Sequence, residues 1–490
     1  MDELSAFLDT GRTWLVWGST IVVEALTLAA VVSVLRKRSE PMTMFAWVLV
    51  LLFLPLVGLV FYVLLGAPRV RRRRRKHRRR AASSIQADAF RPDPVRTATR
   101  AGLDRLPPNV RELARLSSRF GAFSITTGNL VRVLANSGEV YGDLLEAIDA
   151  ARRHIHLEYY IFRADETGRT FRDRLAAKAA QGVEVRVLID GIGGWGTDRR
   201  FFRPLVLAGG RVEFFLPALL FRRKWNINYR NHRKIAVVDG QVAWTGSQNI
   251  GDEYRGVWRR VAPWRDTHLR LEGPVVDDLQ TVFLDDWAFA AGETLGFSNY
   301  LAASPARGDS VVQILPSGPD SSKDLFRDYV LLAIGLATRS VRITSPYFVP
   351  APGLVPALKN AVRRGVTVDI LLPSKADSPI VLWAGRSYYD ELLRAGVRIH
   401  EHSAAMLHSK ILLVDDHWAL VGSANMDVRS FSTNFELTAT IFDQAIASQL
   451  RAGFERDCGE ADSITRWPLP EHSMWREVLE GIARLFSPLL

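Results

Sequence analysis

The sequence predicts an α/β protein in which two duplicated lobes, each a mixed, largely parallel sheet flanked by helices, follow an N-terminal transmembrane α-hairpin. Three observations predict it. Two long apolar runs open the chain, a strand–helix–strand order occurs once in each half of the body, and a polar pattern built on histidine and lysine returns at the matching place in each half. A length of 490 residues allows two packed lobes plus extras. The divisions are residues 1–68 for the hairpin, 69–118 for a basic flank and linker, 119–305 for the first lobe, and 306–490 for the second with a C-terminal amphipathic helix.

The first apolar run, Trp14 to Leu35, is interrupted only by Glu24, and the second, Met42 to Leu65, carries no charge. Each has the ~20 residues that a bilayer crossing needs. A cleaved signal peptide is the competing reading, but Asp2, Glu3 and Asp9 stand where a signal would be basic, and the second run is too long for one. Pro55 and Gly58 lie within that second run, where the chain can kink or dip and return. Ten cations without an acid, Arg69, Arg71 to Arg75, Lys76 and Arg78 to Arg80, follow it and account for most of the formal charge of +12. They outweigh Arg36, Lys37 and Arg38 in the connecting loop and predict a multi-pass protein of the plasma membrane with its body in the cytoplasm, although the loop cluster argues the other way. The same run is either a solvated stop-transfer flank or a contact for anionic lipid headgroups, or both. The body is close to neutral, which disfavours a nucleic-acid partner. A single cysteine, Cys458, excludes an intramolecular disulfide.

In the body, His154 to Phe162 has strand character, Thr170 to Gln181 helical character and Val183 to Ile189 strand character. Ser340 to Val349, Val355 to Arg364 and Val366 to Leu372 repeat that order. The joints match at Gln181-Gly182-Val183 and Arg364-Gly365-Val366, where glycine ends a helix and a buried strand begins.

The repeated pattern is His232-Arg233-Lys234 running to Asp239-Gly240, and His408-Ser409-Lys410 running to Asp415-Asp416. Residues i and i+2 of a strand share a face, so each histidine projects with its lysine. Taken as a unit, the pattern puts Asp239 and Asp415 in the catalytic set with His232, Lys234, His408 and Lys410. The aspartates, however, fall at a hairpin turn at the far end of the strand, and a turn role fits them better. The return strands bring Gly246-Ser247-Gln248-Asn249 and Gly422-Ser423-Ala424-Asn425 back beside the histidines. Ser247, Asn249, Ser423 and Asn425 are then candidate phosphate-binding groups. Two histidines, two lysines and two amides around one cleft suit a phosphodiester, with protein cations stabilising the non-bridging oxygens and a histidine attacking phosphorus. No metal or other cofactor is required. A metal site would need carboxylates at ligand spacing beside the histidines, and none is local.

These motifs resemble the phospholipase D superfamily and, within it, the two-span bacterial cardiolipin synthases. The resemblance rests on Asn228 to Lys234, Asn249 to Tyr254, Gly422 to Ser430, Asn434-Phe435-Glu436, the terminal Pro488-Leu489-Leu490, and Ala46-Trp47 with Pro55-Leu56-x-Gly58 in the hairpin. Ser247 departs from it, since the family's first copy often has a second glycine there. The resemblance implies His232 as the nucleophile that forms a phosphohistidine, and His408 as the general acid and then the base. It also implies Asp266 and Glu436, at matching places after their motifs, as orienting carboxylates. The implied reaction joins two phosphatidylglycerols into cardiolipin and releases glycerol. Phosphatidylethanolamine as one donor, hydrolysis by the same site, and a non-catalytic membrane scaffold are the alternatives.

A cleft that serves membrane phospholipids belongs against the bilayer. Phe214 to Phe221 followed by Arg222-Arg223-Lys224-Trp225 reads either as an element that dips into the interface or as a core strand with a basic loop. Trp475, Val478, Leu479, Ile482, Leu485 and Phe486 follow helical spacing, and this helix is expected to pack on the body.

Overall fold

A computed structural model describes residues 2–36, 41–65, 102–217, 228–256, 263–301, 304–319, 325–376, 378–468 and 473–487. The basic run, the Phe221 and Trp225 segment and the last three residues lie outside the described residues. The chain divides into two compact units, one built on the N-terminal helices and one on the body.

In the N-terminal unit, helix Asp2–Arg36 contains a segment, Trp17–Arg36, whose 20 residues are long and apolar enough to cross a bilayer. The second apolar run forms two helices, Pro41–Phe53 and Pro55–Leu65, broken at Leu54. The two legs lie side by side. The rings of Trp47 and Tyr62 meet edge to face with centroids 5.4 Å apart, whereas residues fifteen apart in a straight helix are separated by ~22 Å. A Cβ added at Gly58 would lie 2.8 Å from the Val50 carbonyl oxygen, so glycine lets the legs touch. Tyr62 donates to Ser33 Oγ at 2.7 Å, and Ala30, Val34, Leu51 and Tyr62 share one apolar cluster. Of the two courses that the sequence left open at Pro55 and Gly58, the structure takes the return.

The body contains β1 (Thr126–Leu134), β2 (His154–Tyr159), β3 (Glu184–Asp190), β4 (Arg211–Phe215), β5 (Ile235–Val238), β6 (Val242–Gly246), β7 (Trp264–Arg265) and β8 (His268–Glu272). It continues with β9 (Ser310–Ser317), β10 (Ser340–Thr344), β11 (Phe348–Val349), β12 (Thr367–Pro373), β13 (Arg398–His402), β14 (Met406–Leu407), β15 (Ile411–Val414), β16 (Trp418–Gly422), β17 (Met426–Asp427), β18 (Glu436–Phe442) and β19 (Ala461–Ile464). Fifteen of these form one sheet in the order β19-β13-β12-β10-β15-β16-β18-β9-β1-β8-β6-β5-β2-β3-β4. Outward from the β1–β9 junction the halves mirror each other, so the duplication is built into the strand order.

The sheet is mixed, as expected, but its balance differs from the largely parallel one predicted. Parallel pairing is confined to β2–β3–β4 and β10–β12–β13, the βαβ parts read from the sequence. Every other pairing in this sheet is antiparallel, because the β5–β6 and β15–β16 hairpins and the β8 and β18 returns stand between those parts. The halves also fuse antiparallel through β1 and β9 instead of closing into separate sheets.

Helices Glu166–Ala180 and Leu354–Arg363 connect the parallel strands. Asp165 caps the first by accepting from Gly168 N–H at 2.9 Å. Gly182 and Gly365, at φ 87° and 86°, end both helices in the left-handed conformation. Phe215 at the end of β4 is fully buried, which supports the core-strand reading for that part of the Phe214 to Phe221 stretch.

The C-terminal helix Met474–Leu485 packs on the body, as expected, with Ala483 against Val349 and Ala384, but not by its apolar face. It turns Glu480 and Ala483 inward, where Glu480 accepts from Trp467 Nε1 at 3.2 Å, and leaves Trp475, Leu479, Ile482 and Leu485 exposed. A buried carboxylate held through one oxygen by Trp467 and a small residue set its orientation.

Candidate active site

Short parallel pairings interlock the two half-sites. Asn231, at the start of the first motif, bridges to Phe435 beside the Glu436 segment, and His232 N–H donates to Phe435 carbonyl at 2.8 Å. Reciprocally, β14 pairs with β7, and His408 N–H donates to Arg265 carbonyl at 2.8 Å. Each motif is thereby stitched to the carboxylate segment of the other half.

The consequence is a crossed arrangement. His232 Nδ1 lies 2.9 Å from Glu436 Oε2, and His408 Nδ1 lies 2.9 Å from Asp266 Oδ2. With Nδ1–H donated to a carboxylate, the lone pair of each imidazole is on Nε2. Lys234 and Lys410 are buried, each donating to the carbonyl of its own histidine at 2.6 Å.

Burial controls the electrostatics. Desolvation lowers His232 to about 4, against the pull of Glu436, and the cations Lys234 and Lys410 add to the lowering. Desolvation also lowers His408, with Lys410, Asp266 and Lys234 acting on it in that order. Both imidazoles are therefore neutral in the free site, and each feels the lysine of the opposite half. Lys234 falls to about 7 through burial, despite the attraction of Glu436. Burial raises the proton affinity of Asp266 and Glu436, but the histidine, lysine and serine beside each together outweigh it, so both carboxyls sit below their ordinary values.

Ser247 and Ser423, expected on the phosphate, instead serve the carboxylates. Ser247 Oγ donates to Asp266, and Ser423 Oγ donates to Glu436 Oε2 at 2.6 Å; both serines are fully buried. A hydroxyl is the right size to lock a carboxylate at a strand end, which revises that expectation. Asn249 is committed too, since its Nδ2 donates to Tyr254 Oη at 3.0 Å and its Oδ1 accepts from Ile161 N–H at 3.2 Å. Asn425 Oδ1 is buried without a protein partner, so the two copies differ here.

Asp239 and Asp415 lie at the hairpin turns, at φ 55° and 54°, and the structure removes them from the catalytic set. Asp239 accepts from the N–H groups of Arg152, Arg153 and His154 at 2.7 to 3.0 Å. Asp415 accepts from those of Thr338, Arg339 and Ser340 at 2.7 to 3.0 Å. Each ties the tip of its hairpin to the start of the neighbouring strand, β2 or β10, seven residues of chain away from its histidine.

Several site residues escaped the sequence reading. Tyr160 packs edge-on against His232 with centroids 5.0 Å apart, and its ring lies under Lys234 Nζ at 5.5 Å. Trp264 packs 5.2 Å from His408 and donates to Asp266 Oδ2 at 3.2 Å. Arg233, between the first histidine and lysine, holds the Glu436 carbonyl at 3.1 Å, the Ser317 carbonyl at 3.1 Å and Asp286. Its place between two catalytic candidates was the available signal. Opposite-facing alternation in a strand assigns it to the other side, where it joins the halves.

Comparison with known proteins agrees with this architecture. The family model described as "Cardiolipin synthase, PLD-like domain" matches residues 144–257 and 330–458, and a phospholipase D-nuclease N-terminal model matches residues 25–66. The chain is 36% identical over 471 residues to the major cardiolipin synthase of Bacillus subtilis, covering 94% of this chain and 97% of that one. It is 37% identical over 467 residues to the cardiolipin synthase of Geobacillus kaustophilus, covering 94% and 91%. Among solved structures, phosphatidylserine synthase of Haemophilus influenzae shares the fold at a TM-score of 0.59 and 15% identity, over 74% of this chain and 95% of that one. With two complete histidine–lysine half-sites in a duplicated fold and full-length relatives at this identity, the chain belongs to the phospholipase D-like family of bacterial cardiolipin synthases.

Proposed function

We propose that this enzyme is a phosphatidyltransferase that joins two phosphatidylglycerols into cardiolipin and releases glycerol. The observation that carries this reading is the crossed pair of neutral, half-buried histidines, each with Nδ1 on a carboxylate of the opposite half and Nε2 available. His232 Nε2 attacks the phosphorus of the first phosphatidylglycerol. The bond from phosphorus to the headgroup glycerol oxygen breaks, and His408, protonated once the phosphate anion offsets the two lysine charges, gives that oxygen its proton. Lys234 and Lys410 stabilise the non-bridging oxygens. A glycerol hydroxyl of the second phosphatidylglycerol then loses its proton to His408 and attacks phosphorus. The phosphorus–nitrogen bond breaks, and His232 is regenerated.

The N-terminal helices hold the enzyme at its lipid substrates, with the body in the cytoplasm of a bacterial plasma membrane and the run Arg69 to Arg80 on anionic headgroups. Chromatography of the lipids made by purified enzyme from phosphatidylglycerol alone tests the reaction. Cardiolipin with free glycerol is expected, whereas phosphatidic acid without cardiolipin overturns the synthase in favour of a hydrolase. Mass spectrometry after a rapid quench tests the assignment of roles, with the phosphoramidate expected on His232 and not on His408.

A further inference from the structure

The two helices of the second apolar run are too short to cross. At ~1.5 Å per residue, Pro41–Phe53 and Pro55–Leu65 reach ~20 and ~16 Å, against a hydrocarbon core of ~30 Å. Their antiparallel packing, fixed by Trp47 on Tyr62 and Gly58 on Val50, returns the chain after Leu65 to the side from which Pro41 set out. Helix Asp2–Arg36, by contrast, has a full crossing length in Trp17–Arg36.

We propose that Pro41–Leu65 is a re-entrant hairpin that enters and leaves the bilayer by one face, so the chain crosses the membrane once and not twice. This rests on the membrane attachment proposed above, and not on the chemistry.

The tip is built for hydrocarbon. Phe53, Leu54, Leu56 and Val57 are exposed apolar side chains, and neither leg carries a charge. An irregular turn in lipid must satisfy its own backbone. Leu54 N–H donates to Val50 carbonyl at 3.0 Å, Leu54 carbonyl accepts from Gly58 N–H at 2.6 Å, and Pro55 has no N–H to satisfy. Tyr62 spends its hydroxyl on Ser33 within the bundle.

The charge distribution follows. With two crossings, the Arg36-Lys37-Arg38 loop and the Arg69 to Arg80 run fall on opposite sides, and one of them violates the preference of cations for the cytoplasmic face. With one crossing, both clusters are cytoplasmic, and the acidic start bearing Asp2, Glu3 and Asp9 lies outside. The conflict between the two basic clusters disappears.

The single cysteine makes the test direct. In a Cys458→Ser background of the full chain, Ser5→Cys, Ser39→Cys and Ser83→Cys are made singly, kept if they still produce cardiolipin, and exposed to a membrane-impermeant maleimide in intact and in lysed spheroplasts. The expected result is labelling of Ser5→Cys in intact spheroplasts, and of Ser39→Cys and Ser83→Cys only after lysis. Labelling of Ser39→Cys in intact spheroplasts, with Ser5→Cys and Ser83→Cys protected, means two crossings and overturns the proposal. The lipid-product assay above is independent of this outcome, so either reading can fail alone.

Discussion

Glu436 and Asp266 each sit 2.9 Å from a histidine that belongs to the other half of the chain. Glu436→Gln keeps the shape of the side chain and removes the charge that fixes the His232 tautomer. We expect kcat to fall about 10²-fold in the lipid-product assay, within the range for loss of acid–base assistance. The free-enzyme pH profile follows from His232 and Lys234. His232, lowered to about 4, is protonated and unable to attack only below that pH, and Lys234, lowered to about 7, loses its charge above that pH. The signs give a kcat/KM plateau between those limits, falling on the acid side as His232 gains a proton and on the alkaline side as Lys234 loses one. Lys234→Arg keeps the charge at all these pH values and is expected to remove the alkaline limb, whatever its effect on the plateau. The turn aspartates behave differently. Asp239→Ala deprives three backbone N–H groups of a charged acceptor, and the expected cost is about 1.5 to 3 kcal/mol in denaturant unfolding, with kcat of the folded enzyme unchanged.

At the scale of elements, the return strands matter as much as the motif strands, because β16 and β18 pack without room for a side chain where they part. A Cβ added at Gly422 would meet the Leu437 carbonyl and lie 2.7 Å from Thr438 Cα, so Gly422→Ala has to push β18 outward. Glu436 starts β18 and moves with it. Gly422→Ala is therefore expected to lower kcat as Glu436→Gln does, while the far-ultraviolet circular dichroism of the purified protein stays that of the parent. Much at this scale was legible in sequence. The two helix-to-strand joints at Gly182 and Gly365 and the hairpin turns at Asp239 and Asp415 carry local signals of turn chemistry and periodicity. The C-terminal helix was legible as a helix but not in its orientation, because the pull on Glu480 comes from Trp467, which periodicity does not see.

Across the whole molecule, the two halves share one sheet and one site. The sheet is continuous through β1 and β9, and each histidine borrows its carboxylate across that junction. Groups that act as one unit are not additive. Glu436→Gln combined with Asp266→Asn is expected to cost little more in kcat/KM than the worse single change, measured as a double-mutant cycle on the same substrate. A product of the two separate effects would show half-sites that work independently.

The sequence by itself determined the duplication, the two histidine–lysine pairs and the apolar N-terminus. Each is written in short-range spacing or in a repeat. Tertiary structure decided the rest. Which carboxylate serves which histidine, that Ser247 and Ser423 hold carboxylates and not phosphate, the antiparallel majority of the sheet and the return at Leu54 all depend on contacts between segments far apart in the chain or folded back on each other. Spacing fixes what one strand or helix presents on its face. Only packing fixes what meets that face.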